Sequence, residues 1–437
     1  MSAAPRPSRT VDGDVGAAMY ALVTELYPIC RSITGDGVRE TLEILRKRIA
    51  LDVHEVPTGT PVFDWTVPKE WNVRDAYVAA ADGRRVIDFN RSNLHLLGYS
   101  IPVRQRMPLA RLREHLFSRP DFPEAIPYRT SYYRETWGFC LPHRELEALP
   151  EGEYDVVVDS TLEPGSLTYG EWYIPGDEDD EVLLSCHVCH PSLCNDNLSG
   201  IAVLTELAGL LASRPRRYSY RLLFIPGTIG SITWLARNEA HVGRIKHGLV
   251  VTGVGDAGPF TYKRSRRGDA EIDRAATHVL RHAAAAHRVV DFSPYGYDER
   301  QYCSPGFDLP VGCFMRTPHG EYREYHTSAD NLGFVTPTAL EEALRTCQAI
   351  VEVLEGNVAY VNQSPKCEPQ LGKRGLYRAL GGGLDGASRE MAMLWVLNLS
   401  DGRHTLLDIA ERSGLPFPAV REAATALAEH GLLKRAA

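Results

Sequence analysis

The amino-acid sequence predicts an α/β fold with a mostly parallel sheet, on three observations. From about residue 152 onward, short apolar strands alternate with helical stretches. Apolar residues make up 44% of the 437-residue chain, enough to bury a sizeable core. The densest polar run follows one of those strands directly, at the end where parallel sheets present their ligand sites. At roughly 150 residues per domain, the length suggests about three domains.

After a flexible start, Asp14 to Ile29 and Gly37 to Ile49 read as amphipathic helices. In the second, Thr41, Leu42, Ile44, Leu45 and Ile49 recur with a period near 3.6. Arg31-Ser-Ile-Thr-Gly-Asp-Gly between them supplies turn and cap residues. From residue 51 to 150 the chain turns rich in Pro and aromatics, with short alternating runs such as Ala76-Tyr-Val-Ala-Ala split by pairs like Asp82-Gly83. This reads as a β-rich insert at 56–150. It divides an α/β domain made of residues 13–55 and 151–365.

In that domain Tyr154 to Asp159, Gly170 to Ile174, Val182 to Ser185, Tyr220 to Ile225, Gly248 to Val254 and Val311 to Met315 are expected strands. Leu198 to Ala212, Ile232 to Glu239, Ala270 to His287 and Pro337 to Leu354 are expected helices. A Pro/Gly-rich linker, Pro365 to Gly383, leads to three helices in a domain at 380–437. Its Thr405 to Leu427 stretch has the helix–Gly turn–helix pattern, and Gly431-Leu-Leu starts a wing.

The net charge of −8 argues against a surface built wholly for nucleic acid or an anionic membrane. No apolar run approaches the ~18 residues of a membrane span. The N-terminus has no apolar stretch after its arginines, which argues against a secretory signal. Nine cysteines, an odd count, fit reduced thiols better than a disulfide framework. The expected location is the cytoplasm.

The polar run is Ser185-Cys-His187-Val-Cys-His190-Pro-Ser-Leu-Cys194-Asn-Asp196-Asn-Leu-Ser-Gly200. A His at a strand end and an Asp in the following loop can converge on one metal ion, since neutral imidazole and carboxylate both suit zinc. Cys186-His-Val-Cys189-His190 also matches a haem-attachment motif, but that chemistry belongs outside the cytoplasm. A structural zinc on Cys186, Cys189 and Cys194 is a further reading, against the habit of thiolate sites to occupy turn-rich knuckles. The cysteines read best as small buried fillers, and His190, before Pro191, as a packing or capping residue.

This run, with Phe224-Ile-Pro-x-Thr-Ile-Gly-Ser231 and Tyr325-His326-Thr-Ser-Ala-Asp-Asn-Leu332, resembles a bacterial family with an aminopeptidase-like domain, an inserted β-rich domain and a C-terminal winged helix. Some members of that family are labelled polysaccharide-biosynthesis proteins. The core is similar to the co-catalytic zinc aminopeptidases of the transferrin-receptor-like peptidase superfamily, an α/β/α architecture. In those enzymes one zinc is held by a His, a bridging Asp and a second acid. The other is held by the same Asp, a Glu and a distal His. The resemblance implies His187, Asp196, Asp256 and His326 as ligands of one or two zinc ions.

One departure matters. Where the peptidases carry a Glu-Glu pair, of which one Glu is the general base and the other a ligand, this chain has Pro226-Gly227. Glu299, with Asp298 beside it, is the preferred substitute base, and Glu324 a further source of a carboxylate. The aromatic flank Tyr297 and the cations Lys263 and Arg264, in Phe260-Thr-Tyr-Lys-Arg-Ser-Arg-Arg267, are candidate substrate contacts; a solvated basic turn is the competing reading. Asp330-Asn331 after His326 is placed to orient its imidazole; equally, Ser328 and Asp330 could cap or turn the chain before the helix at 337.

The functional expectation is a zinc-dependent hydrolase cleaving an amide bond in a peptide or an aminoacylated or N-acyl small molecule, in polysaccharide or specialised-metabolite biosynthesis. The alternative is a catalytically inactive scaffold acting through its winged helix. The second helix of that domain carries Arg421 as its only cation, against Glu422 and Glu429. A docking or homo-oligomerising role therefore fits it better than DNA binding.

Overall fold

The computed structural model describes residues 14–283, 285–376 and 384–436. The expected flexible start, the linker residues 377–383 and the expected domain starts at 13 and 380 lie outside the described residues. The chain forms two compact units. One runs to Gly268 and resumes over Arg288–Arg345; the other comprises Asp269–His287 and the residues from Thr346.

The first unit is built on an eight-stranded sheet. Its strands, in chain order, are β1 (Asp52–Pro57), β2 (Ser166–Ile174), β3 (Glu181–His187), β4 (Ser219–Ile225), β5 (Ile245–Val251), β6 (Phe260–Lys263), β7 (His287–Val290) and β8 (Val311–Met315). They lie in the order β1-β2-β4-β3-β5-β8-β6-β7. The four central strands are parallel, with antiparallel partners at β2 and β6. All seven residues of β3 are buried, which is why Val182-Leu-Leu reads as an apolar run without alternation. The helix Gly200–Ala212 packs on β3, β4 and β5. Because β4 and β5 flank β3 on opposite sides, the carboxyl end of β3 is a switch point of the topology, where a crevice opens.

The insert has its own antiparallel sheet, in the order Arg85–Asp88, Glu70–Ala80, Glu153–Glu163, Val103–Pro108. The expected boundary at 150/151 therefore moves. Glu153–Glu163 pairs with Glu70–Ala80 and Val103–Pro108, and the chain rejoins the large sheet only at Ser166. The apolar run of buried Tyr154, Val156, Val157 and Val158 marks a strand, but it carries no information about a partner some eighty residues away.

In the second unit, helices Leu384–Leu399, Leu406–Ser413 and Phe417–Glu429 accompany a three-stranded antiparallel sheet of Asp401–Thr405, Ala359–Asn362 and Leu433–Arg435. Ala359–Asn362 precedes the linker, so this fold begins well before the expected 380. The helix Glu271–His282, expected in the α/β domain, also belongs to this unit. Arg274 pairs with Asp408 and Glu411, and His278 Nε2 accepts the Phe417 N–H at 3.1 Å. No helix among the described residues is long and apolar enough to cross a membrane, and all nine cysteines are free.

Candidate metal centre

His187 is the last residue of β3 and 2% exposed. The chain then turns irregularly through Cys194–Ser199 into the helix Gly200–Ala212, with Asp196 and Asn197 out of helical conformation. Side chains of this turn pin it to its surroundings. Asn195 Oδ1 accepts the N–H groups of Gly255 and Asp256, while Asn197 Oδ1 accepts those of Gly200 and Gly253. Gly200 is required here, because a Cβ would stand 2.4 Å from Asn197 Oδ1 and 2.5 Å from the Val251 carbonyl.

Asp196, fully buried, is where three imidazoles meet. His187 Nε2 lies 2.8 Å from its Oδ1, His326 Nε2 3.0 Å from its Oδ2, and His190 Nε2 4.0 Å from its Oδ2. Two ligands of one tetrahedral zinc at ~2.0–2.1 Å stand about 3.3 Å apart; the His187 contact is made to one Asp196 oxygen and those of His190 and His326 to the other. His187, His190 and Asp196 form the one group of this kind among the described residues, and it contains no cysteine. Burial alone would raise the Asp196 carboxyl, but the imidazoles of His190, His187 and His326 outweigh it and hold the group ionised. Burial also pushes the His190 imidazole well below its ordinary range, which keeps it in the neutral form a metal needs. The donor set of soft-to-borderline nitrogens with one carboxylate suits zinc.

His190, read from sequence as packing, is thus part of the cluster. The signal available was its spacing from His187; its ring contacts with His187 (4.8 Å), His326 (5.2 Å) and Tyr128 (5.2 Å) arise only in the fold. His326 sits at φ +53°, an uncommon conformation for a residue with a Cβ. The insert holds it there: Tyr128 N donates to the His326 carbonyl (2.7 Å), Ser328 N to the Ile126 carbonyl (2.8 Å), and Ile126 N to Ser328 Oγ (2.9 Å). Tyr325 stacks on the His326 ring at 3.9 Å.

Asp256 does not join the cluster. Its Oδ1 accepts from Gly258 N and Thr317 Oγ1, and its Oδ2 from Asn195 Nδ2 and Thr317 N. Those four bonds occupy the lone-pair positions a ligand would use. Asp330 holds the turn, not the imidazole, by accepting the N–H groups of Asn195 (2.6 Å) and Asp196 (3.0 Å). Burial pushes its carboxyl up to about 7.

Asp298 and Glu299 divide. A Cβ on Gly227 would lie 3.1 Å from His187 Cβ and 3.4–3.5 Å from the two Asp298 oxygens. Asp298 therefore brings a carboxylate to the place where Pro226-Gly227 offers none. Ser231 Oγ donates to its Oδ1 at 2.8 Å, while its buried Oδ2 has no partner among the described residues. Burial pushes this carboxyl up to about 6. Glu299, the preferred base from sequence, is instead bound to Lys263 Nζ at 2.8 Å in a buried ion pair, and Lys263 also donates to the Tyr295 carbonyl. Lys263, proposed from sequence as a substrate contact, is thus held by this pair and is not among the residues that line the adjacent pocket.

A pocket of about 130 Å³ opens beside the cluster, lined by His187, His190, Asp298, Tyr297, His319 and Tyr325 among others. Tyr297 stacks on the His187 ring at 5.4 Å and lines the pocket. Arg264 and Glu324, both half-buried, lie outside its lining. Arg266 and Arg267 pair with Asp308 on the surface, whereas Lys263 ends a buried strand, so only the last two cations of the basic run are solvated.

Residues 20–357 match the family described as a domain of unknown function, DUF4910, and residues 358–435 match a winged helix-turn-helix family. A protein of Clostridium acetobutylicum, named "Putative polysaccharide biosynthesis protein with aminopeptidase-like domain", is 53% identical over 421 residues, covering 96% of this chain and 97% of the relative. A crystal structure of a "putative peptidase" from the same species superposes with a TM-score of 0.93 at 51% identity, over 97% of both chains. The zinc aminopeptidase BSAP of Bacillus subtilis superposes with a TM-score of 0.56 at 15% identity, over 78% of this chain and 95% of that one. For a peptidase M28 precursor of Shewanella amazonensis the values are 0.55 and 13%, over 78% and 93%. These last two show the fold alone: an aminopeptidase-like α/β core. The chain belongs to the DUF4910 family, with an aminopeptidase-like core followed by a winged helix.

Proposed function

We propose that this chain is a metal-dependent hydrolase of amide bonds, acting on a peptide or an aminoacylated or N-acyl small molecule. The observation that carries this reading is the Asp298 carboxylate beside Gly227, facing a cluster of three imidazoles and Asp196. The zinc that such donors suit would polarise a carbonyl and acidify a water molecule. His187, Asp196 and His326, with His190, would hold it. Asp298, with one oxygen oriented by Ser231 and the other unpartnered, is placed to take a proton from the attacking water and return it to the leaving amine. Tyr297, His319 and Tyr325 would wall the acyl side of the substrate and exclude bulk water. The name of the Clostridium relative favours an aminoacyl or N-acyl sugar among such substrates.

The test is a screen of aminoacyl and N-acyl-sugar amides with wild type, Asp298→Asn and His187→Ala. Asp298→Asn is expected to keep its metal and lose about 10²–10⁴-fold in turnover; His187→Ala is expected to lose the metal. Full turnover in Asp298→Asn would remove that residue from its role. A wild type that hydrolyses nothing and binds no zinc would favour the inactive scaffold.

A further inference from the structure

We infer that this centre holds a single divalent ion, gripped by His187, His190, Asp196 and His326, and not the metal pair of the co-catalytic aminopeptidases that the sequence resembles. The inference rests on the hydrolase reading and follows from counting donors.

A pair needs two further acids flanking the shared carboxylate, one for each ion. The acid after β5 is Asp256, whose two oxygens are already engaged by Gly258, Thr317 and Asn195. The acid after β4 is absent, because Pro226 and Gly227 stand there. Glu299, the other buried carboxylate nearby, is neutralised by Lys263. Only Asp298 remains: Ser231 holds its Oδ1, and its unpartnered Oδ2 is the oxygen that serves as base in the hydrolase reading. Two ions would then share Asp196 and three imidazoles between them, leaving two dications side by side with too little negative charge between them. Such an arrangement is repulsive in a buried site, where screening is weak.

A single ion meets three donors within 4.8 Å of one another, His187, His190 and Asp196, with His326 beside the second Asp196 oxygen. His190 supplies the donor that a vanished acid would have supplied: its Nε2 lies 4.0 Å from Asp196 Oδ2, within one group with His187 and Asp196. The substitution also changes charge, since a neutral imidazole replaces an anion. With one ion instead of two, the lower negative charge of the ligands is matched by the lower positive charge of the metal.

The experiment is elemental analysis of the full chain, purified gently and then equilibrated with excess zinc, alongside calorimetric titration of the metal-free protein. One zinc per chain is expected. The manganese-loaded protein should give the paramagnetic resonance of an isolated ion, without the coupling of a pair. His190→Ala should weaken zinc binding at least tenfold while its circular dichroism stays that of wild type. His190→Gln, which keeps a polar side chain of similar reach, covers the case in which the alanine variant fails to fold. Two zinc ions per chain, or coupled manganese, would overturn the inference and leave the hydrolase reading standing. Unchanged zinc affinity in both His190 variants would remove His190 from the ligand set and with it the single-ion centre. No zinc at all would overturn both readings.

Discussion

Asp298 and Glu299 are chain neighbours whose side chains do unrelated work. They open a single helical turn, where successive residues point about 100° apart, so only one of them can face the imidazoles. Composition cannot say which. The sequence reading chose Glu299, and the deciding fact, the ammonium of Lys263 waiting thirty-six residues upstream, becomes visible only in the folded chain. The same limit hid the saturation of Asp256 by Thr317 and the arrival of His190 beside Asp196. His187, Asp196 and His326, which the family resemblance implied, each lie in a local motif, and the fold brings them together. The Lys263–Glu299 pair carries its own prediction. Glu299→Gln leaves a buried ammonium uncompensated and should cost about 3–5 kcal/mol in urea unfolding. Lys263→Met in the same background should recover part of that loss, and metal content should stay unchanged in both.

Among the elements, most of the expected strands and helices of the α/β core lie within a few residues of where periodicity puts them, whereas Asp52–Pro57, Phe260–Lys263 and His287–Val290 join the sheet without any such expectation. Sheet membership was not legible for Glu153–Glu163, nor was the recruitment of Ala359–Asn362 to the C-terminal sheet, because both depend on partners far along the chain. Two predictions belong here. Thr405 caps the helix Leu406–Ser413 in a reciprocal box with Asp408. Thr405→Ala should cost about 1 kcal/mol, read as a lower melting temperature of the full chain. His278, in the second unit, is pushed down to about 4 by burial and accepts the Phe417 N–H through Nε2. An unfolded histidine titrates near 6.5, so between these two values the unfolded state binds the additional proton. Stability should therefore be complete above about pH 6.5 and fall as the pH drops towards 4. His278→Gln, which cannot take up that proton, should flatten this part of the profile in pH-dependent denaturation.

For the whole molecule, ligand linkage gives a direct measurement. A protein that binds zinc only when folded gains about 2.7 kcal/mol at a free concentration one hundred times its dissociation constant. Melting temperature should therefore rise with added zinc and fall with a chelator, and His187→Ala should abolish both responses. The position of the insert shapes what such experiments can vary. Ile126 and Tyr128 are laced to Ser328 and His326 by main-chain bonds, with Tyr128 edge-on to the distal imidazole at 5.0 Å. An engineer who swaps this module would also remove the bonds that fix His326 beside Asp196. Under the proposed metal reading, a chimaera must carry over residues 126–128 if it is to keep a loaded centre.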